Sequence, residues 1–120
     1  MTQDEKDILL KDLCARLPYG VKVESVFINP DTKDHKSCGI EIFNATSLLM
    51  IRDGLGEFKP YLFPISSMTD EQKREEYEIC KEYIIGYESN LIDFYNKYHL
   101  DYRGLIEKGL AIDATGLNIY

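Results

Sequence analysis

The stretch VKVESVFINPDTKDHKSCGIEIF, residues 21–43, contains the pattern that decides the fold class. In residues 21–28, one face carries Val21, Val23 and Phe27 and the other carries Lys22 and Glu24, which is typical of a half-buried strand. Residues 29–34 are turn formers that open an exposed loop reaching about residue 37. Residues 39–43 alternate again, with two isoleucines flanking a glutamate. The stretch therefore predicts two short antiparallel strands joined by a polar loop.

Two further extended segments are predicted after this pair. Residues 47–52 are apolar on both faces, so we expect a third strand that is central or covered on both sides. Residues 58–65 follow a glycine-containing turn and include Pro60 and Pro64. Proline lacks the N–H that a ladder needs, which predicts an edge strand or an irregular arm here.

Helical signals lie on both sides of these strands. Thr2 and Glu5 form a capping box that opens a helix over residues 3–17, which the sequence Pro18-Tyr19-Gly20 ends. Thr69 and Gln72 form a second capping box, and the pattern predicts a helix to about residue 85, with Gly86 stopping or bending it.

The C-terminal part predicts two more helices. Ser89 is a candidate cap for a third helix, which carries apolar and aromatic residues at helical spacing. Residues 102–108 predict a short fourth helix closed by Gly109, followed by a loose tail.

The order of elements predicts an α+β fold: an N-terminal helix, a small antiparallel sheet of three or four strands that could curl into an open barrel, and C-terminal helices. We find no linker, so we expect a single domain over residues 1–120. Its parts are the N-terminal helix (1–18), a β-rich part (19–66), a helical part (67–112) and a tail (113–120).

Composition restricts the classes of partner. The 120 residues include 14 basic and 21 acidic ones, a net charge of −7, and the deficit is greatest after residue 66. Without clustered Lys and Arg, direct nucleic-acid binding is not expected. The longest aliphatic run, residues 48–51, is too short to span a membrane. The polar start and three scattered cysteines predict a cytoplasmic protein with reduced thiols.

The sequence contains no complete set of catalytic or metal-binding residues at a recognisable spacing. His99 with nearby Asp101 could be combined with Ser66, Ser67 or Cys80, but no nucleophile-elbow motif supports a triad. His35 and Cys38 are the only close pair of metal-ligand types, and a zinc site needs more ligands. The sequence therefore predicts no enzyme activity, no metal and no cofactor.

Aromatic residues give the strongest indication of a contact surface, because tyrosine offers large area with little rotamer entropy. The predicted partner-binding residues are Tyr61 and Phe63 on the proline-containing segment, and Tyr98, His99, Tyr102 and Arg103 near the last helix. The alternative is that these tyrosines fill a tryptophan-free core, with their hydroxyls at its rim.

Three stretches resemble a family of small proteins from gut anaerobes and their phages and mobile elements. They are LLKDLCARLPYGVKV (9–23), KPYLFPISSMTD (59–70) and FYNKYHLDYRGLIEKGLAI (94–112). The resemblance implies a small cytosolic protein of mobile-element origin. It implies no catalytic residues.

The leading functional prediction is a non-enzymatic module that binds a protein partner, with no contact to nucleic acid or membrane. The alternative is an acidic decoy that imitates nucleic acid toward a basic host protein, using helix residues such as Glu75, Glu76 and Glu82. A small hydrolase around His99 is the third hypothesis.

Overall fold

The computed structural model describes residues 1–81 and 87–120, without the side chain of Tyr87. This part of the chain forms four α-helices and a four-stranded mixed sheet, so the fold class is α+β as predicted. In chain order the elements are α1 (Gln3–Arg16), β1 (Lys22–Ile28), β2 (His35–Ile42), α2 (Ala45–Arg52), β3 (Gly56–Leu62), α3 (Asp70–Cys80), α4 (Tyr87–Lys97) and β4 (Ile112–Asp113).

Helix α1 covers the apolar face of the sheet. The Thr2 hydroxyl accepts the N–H of Glu5, and the Glu5 carboxylate accepts the N–H of Thr2, so the predicted capping box is confirmed. Leu9 and Leu13, one turn apart, are buried against the sheet. A 3-10 turn follows, and Gly20 takes the left-handed conformation (φ +68°) that reverses the chain into β1.

The sheet has the strand order β2-β1-β3-β4. Strand β1 pairs antiparallel with both β2 and β3, whereas β4 pairs parallel with β3. The sheet is therefore mixed and open, and the predictions of an all-antiparallel sheet and of a barrel are wrong. The parallel pair arises because β4 returns to the sheet after α3 and α4.

Strand β3 lies between β1 and β4, but β4 pairs only with Tyr61 and Leu62. The predicted edge strand is therefore confirmed for residues 58–60, which pair with β1 alone, and wrong for residues 61–62. Pro60 opposes Val23, whose own backbone groups face β2. Val23 and Pro60 are thus a non-hydrogen-bonded pair, and the missing N–H of Pro60 would point away from β1. Strand β4 pairs only from Tyr61 onward, so no ladder bond is lost at the proline.

Residues 47–52 form most of helix α2, so the predicted third strand is wrong. Asn44 caps this helix: its side chain accepts the N–H of Ser47, while the Ser47 hydroxyl accepts the N–H of Asn44. A short aliphatic run suits a strand or a helix equally, and this cap decides for the helix. Leu49 is exposed rather than central.

The helical part differs from prediction in several places. Helix α3 has the predicted Thr69 cap, and its Tyr77 is 65% exposed. The predicted helix end near residue 85 and the bend at Gly86 lie outside the described residues. Ser89 is within α4 rather than before it.

Residues 102–108 form turns rather than a helix. The Asp101 carboxylate accepts the N–H groups of Leu105 and Ile106, so it binds the donors that would otherwise start a helix.

The tail is fixed by Tyr120, although the sequence predicts it to be loose. The Tyr120 hydroxyl accepts the N–H of Lys22 (2.8 Å) and donates to the carbonyl of Tyr61 (2.8 Å). These two backbone groups face each other at the end of the β1–β3 ladder, so the hydroxyl bridges the strands where they separate. Burial raises the pKa of Tyr120 to about 12, which keeps the hydroxyl protonated.

One hydrophobic core lies between the sheet and the helices. Phe43 and Phe58 meet edge to face at 5.7 Å within it. Its fully buried members include Leu13, Val23 and Leu62, and Leu105 and Leu110 from the C-terminal turns join them. Among the described residues, no helix is both long enough and apolar enough to cross a membrane.

We predict that Tyr120→Phe lowers the free energy of unfolding by about 1–3 kcal/mol, because it leaves the Lys22 N–H and the Tyr61 carbonyl without their bridge. Urea denaturation measures the change. Tyr77→Phe is the matched control, since the exposed Tyr77 ring has no such bridge, and an equal loss in both variants would contradict the assignment.

Candidate functional site

An aromatic cavity of about 290 Å³ is the candidate site. Phe63, Tyr98, His99 and Tyr120 form its aromatic wall, and they come from three separate segments of the chain. We call the space that these four residues enclose the aromatic cavity. The rings of His99 and Tyr120 stack at 3.8 Å and 12°, while Phe63 and Tyr120 tilt against each other at 5.9 Å. The remaining lining residues are Ser67, Thr69, Gln72, Lys97 and Leu100.

Backbone hydrogen bonds hold the segments of the aromatic cavity together. The N–H of Phe63 donates to the carbonyl of His99, and the N–H of Asp101 donates to the carbonyl of Phe63, both at 2.8 Å. The segment after α4 is thereby fixed beside the end of β3, as a parallel bridge between Phe63 and Leu100. His99 has the left-handed conformation (φ +56°), which ends α4 and turns its ring toward Tyr120.

The His99 ring is uncharged at neutral pH. Burial and then the positive charges of Arg16 and Lys22 lower the pKa of His99 to about 4. Its Nδ1 atom is buried and has no hydrogen-bond partner among the described residues. The cavity therefore presents neutral aromatic rings, with Lys97 as the charged side chain among its described lining residues.

His99 and Ser67 both line the cavity, but their contacts do not form a catalytic pair. The Ser67 hydroxyl donates to the carbonyl of Pro64 at 2.6 Å rather than to His99. Both carboxylate oxygens of Asp101 are bound to backbone N–H groups, at 2.8 and 2.9 Å, so Asp101 does not orient His99. In this arrangement Ser67 and Asp101 are not placed as the nucleophile and the orienting acid of a triad with His99.

A buried charge cluster lies next to the aromatic cavity. Asp12 and Arg16 are fully buried and form an ion pair at 2.8 Å within α1. Arg16 also donates to the carbonyl of Leu100 at 2.6 Å, and Arg103 approaches Asp12 at 3.2 Å. The guanidinium groups of Arg16 and Arg103 lie 5.1 and 4.9 Å from the centre of the Tyr102 ring.

The six predicted contact residues separate into three environments. Phe63, Tyr98 and His99 come together in the aromatic cavity, whereas Tyr102 and Arg103 belong to the buried charge cluster. Tyr61 lies within β3 and is only 7% exposed. The alternative of core filling thus describes Tyr61 better than it describes Tyr98.

Sequence reasoning missed Tyr120, Asp12 and Arg16. Asp12 and Arg16 stand four residues apart, a spacing that signals a helix ion pair, but such pairs are usually at the surface. For Tyr120 the only signal is an aromatic residue in a polar tail.

Glu75 and Glu76, which the decoy hypothesis uses, each have a contact within the chain. The Glu76 carboxylate accepts the Tyr95 hydroxyl at 2.7 Å, and Glu75 lies 3.9 Å from Lys97. Glu82 lies outside the described residues. Among the residues that the structure describes, no group of three or more His, Cys, Asp or Glu could hold a metal ion.

A larger cavity, about 340 Å³, lies between α1 and the end of the sheet beside α2. Core side chains such as Leu9, Leu13 and Phe58 form its floor. Its rim has balanced charges, from Lys6, Asp7, Glu57 and Lys59. It brings no set of predicted contact residues together.

Comparisons with protein-family models, with curated proteins and with solved structures gave no match. The resemblance to proteins of gut anaerobes and their phages therefore stays a prediction.

We predict that acid destabilises the protein partly through His99. The folded pKa of about 4 lies below the ordinary 6.5, so the folded state binds this proton less tightly than the unfolded state. The neutral ring therefore makes its full contribution to the free energy of unfolding above pH 6.5, and this contribution is lost as the pH falls toward 4. Free energies of unfolding at several pH values measure it.

His99→Asn should flatten this part of the pH profile, because asparagine tolerates the left-handed conformation and does not titrate there. His35→Asn is the control, since His35 lies exposed on β2. A profile in H99N that is as steep as in the parent chain, or steeper, would contradict the assignment.

We predict that Asp12→Asn lowers the free energy of unfolding by about 3–5 kcal/mol, because it leaves the buried Arg16 guanidinium without a counter-charge. Thermal and urea denaturation measure the loss. Asp53→Asn breaks the exposed pair with Arg52 and should leave stability essentially unchanged. Equal effects of the two substitutions would contradict the role of burial.

Proposed function

We propose that the protein is a non-enzymatic module that binds a protein partner at the aromatic cavity. The observation that carries the proposal is the convergence of Phe63, Tyr98, His99 and Tyr120 around one accessible cavity. Aromatic rings fixed by backbone hydrogen bonds supply apolar contact area at little cost in entropy, as interface anchors do.

The chemistry of the walls favours an extended partner segment with a proline or an aromatic side chain. Neutral ring faces suit such side chains, because aromatic-lined grooves accept preformed polyproline segments and stacked rings. The cavity volume of about 290 Å³ is near the lower end of ligand sites, so it suits one or two side chains. The contacts of Ser67 and Asp101 support a binding role over a hydrolytic one.

The proposal is tested with peptides displayed in a random library and selected on the whole protein. Calorimetry then measures the affinity of the selected peptides for the parent chain and for variants. Tyr98→Ala should weaken binding by about tenfold or more, as expected for an aromatic anchor. Tyr77→Ala removes an exposed tyrosine from α3, outside the cavity lining, and should leave affinity unchanged.

Circular dichroism of each variant verifies the fold.

Tyr61→Ala and Arg103→Ala do not test the cavity, although both residues are among the predicted contact residues. Tyr61 is buried and Arg103 pairs with Asp12, so either substitution would disturb the fold itself. Selected peptides that bind Tyr98→Ala and the parent chain equally would refute the proposal, as would a selection that yields no binding peptide.

A further inference from the structure

Strand β2 presents a long open edge. It is the outermost strand on its side of the sheet, and no strand of the described chain pairs with its outer side. All eight of its residues are exposed, and Ile40 and Ile42 are each 54% exposed. Exposed edges of this kind are templates for pairing with another strand.

The hydrogen bonds of the β1–β2 ladder fix which backbone groups point outward. The N–H of Phe43 donates to the carbonyl of Val21 at 2.9 Å, so the ladder bonds continue through Glu41 on β2. Since bonded and non-bonded residues alternate, the N–H and C=O groups of Ile40 and Ile42 point to the open edge.

The other half of β2 follows the same rule. The N–H of Asn29 donates to the carbonyl of Asp34 at 2.9 Å, which makes Lys36 the inward-bonded residue opposite Phe27. His35 and Ser37 therefore direct their N–H and C=O groups outward. Four residues of the strand thus direct backbone groups to one edge, where the Ile42 carbonyl already accepts the Asn44 side-chain amide at 3.2 Å.

A bulge at the middle of β2 changes which face the side chains occupy. Ser25 pairs with Gly39 and Val26 with Ser37, so Cys38 is an extra residue, and Gly39 has a φ of +83°. In a regular strand of eight residues, the first and last side chains point to opposite faces. Because of the extra residue, His35 and Ile42 share one face, and Lys36 and Glu41 share the other.

We propose that two copies of the chain pair antiparallel through β2, about a two-fold axis at the bulge. With the strands fully overlapped, His35 opposes Ile42 and Ser37 opposes Ile40, and all four have outward backbone groups. Lys36 opposes Glu41 of the second copy in a non-hydrogen-bonded pair, where side chains are closest. The symmetry forms this ion pair twice.

The second copy is the occupant because β2 is complementary to itself. In full overlap, backbone donors oppose backbone acceptors and Lys36 opposes Glu41. Opposed side chains also lie on the same face of the joined sheet, which the extra residue of the bulge makes possible. Bulges and edge charges ordinarily discourage strand addition. Here the charges attract when the partner is an identical strand in this register, and the two bulges meet at the axis.

A charge exchange tests the pairing and its register. Sedimentation equilibrium on the full chain should give a reversible dimer in the micromolar range. Lys36→Glu and Glu41→Lys each place like charges opposite one another twice, and each should weaken dimerisation about tenfold. The double variant K36E/E41K restores both pairs and should recover the parent dissociation constant. Failure of the double variant to recover would overturn the register.

Backbone pairing is tested by Ile42→Pro beside Ile42→Ala. Proline removes an outward N–H without breaking a β1–β2 bond, so the monomer should keep its circular dichroism spectrum while dimerisation falls by at least about tenfold. Ile42→Ala keeps the N–H and should weaken the dimer less. A parent chain that stays monomeric at all soluble concentrations, or a dimer unaffected by Ile42→Pro, would overturn the proposal.

Discussion

The buried guanidinium of Arg16 is the constraint on which the arrangement of the site depends. A buried charge is costly unless it is paired and hydrogen-bonded. Arg16 pairs with Asp12 on its own helix and donates to the carbonyl of Leu100, while its Nη1 atom has no partner among the described residues. Because Leu100 directly follows Tyr98 and His99, this bond fixes α1 to the segment that carries half of the aromatic wall. The N-terminal helix and the aromatic cavity are therefore positioned together, and His99 is exposed to the field of the same charge.

Local signals in the sequence predicted the elements whose structure is set locally. The capping boxes at Thr2 and Thr69, and the two strands around the loop at Asn29, are present because their hydrogen bonds join residues close in sequence. The strand predicted at residues 47–52 was wrong, because a run of only four aliphatic residues does not distinguish the period of a strand from that of a helix. The helix cap at Asn44 could not settle the choice from sequence, since asparagine is equally common in turns. The edge strand predicted from Pro60 is confirmed only in part, because β4 covers the outer side of Tyr61 and Leu62 but not that of Pro60. Whether proline breaks a ladder depends on the phase of hydrogen bonding, which only the register with Val23 determines.

The candidate site was predictable in its chemistry and only partly in its location. Tyrosine and phenylalanine near residues 61–63 and 98–102 signalled an aromatic surface, and Phe63, Tyr98 and His99 do meet. The sequence could not separate Tyr61 from Phe63, because burial in a strand depends on what covers each face. It also could not assign Tyr120, whose partner Lys22 is 98 positions away.

The distance along the chain that separates Lys22 from Tyr120 has a consequence for the order of folding. Contacts between β1 and β2 close a short loop, so this pair can assemble early, whereas the hydroxyl bridge joins residues 98 positions apart and forms only after α3 and α4 have brought β4 back. We therefore expect the two ends of β1 to gain protection from solvent exchange at different times during refolding. The end nearest the loop at Asn29 should be protected first, and the end at Lys22 last.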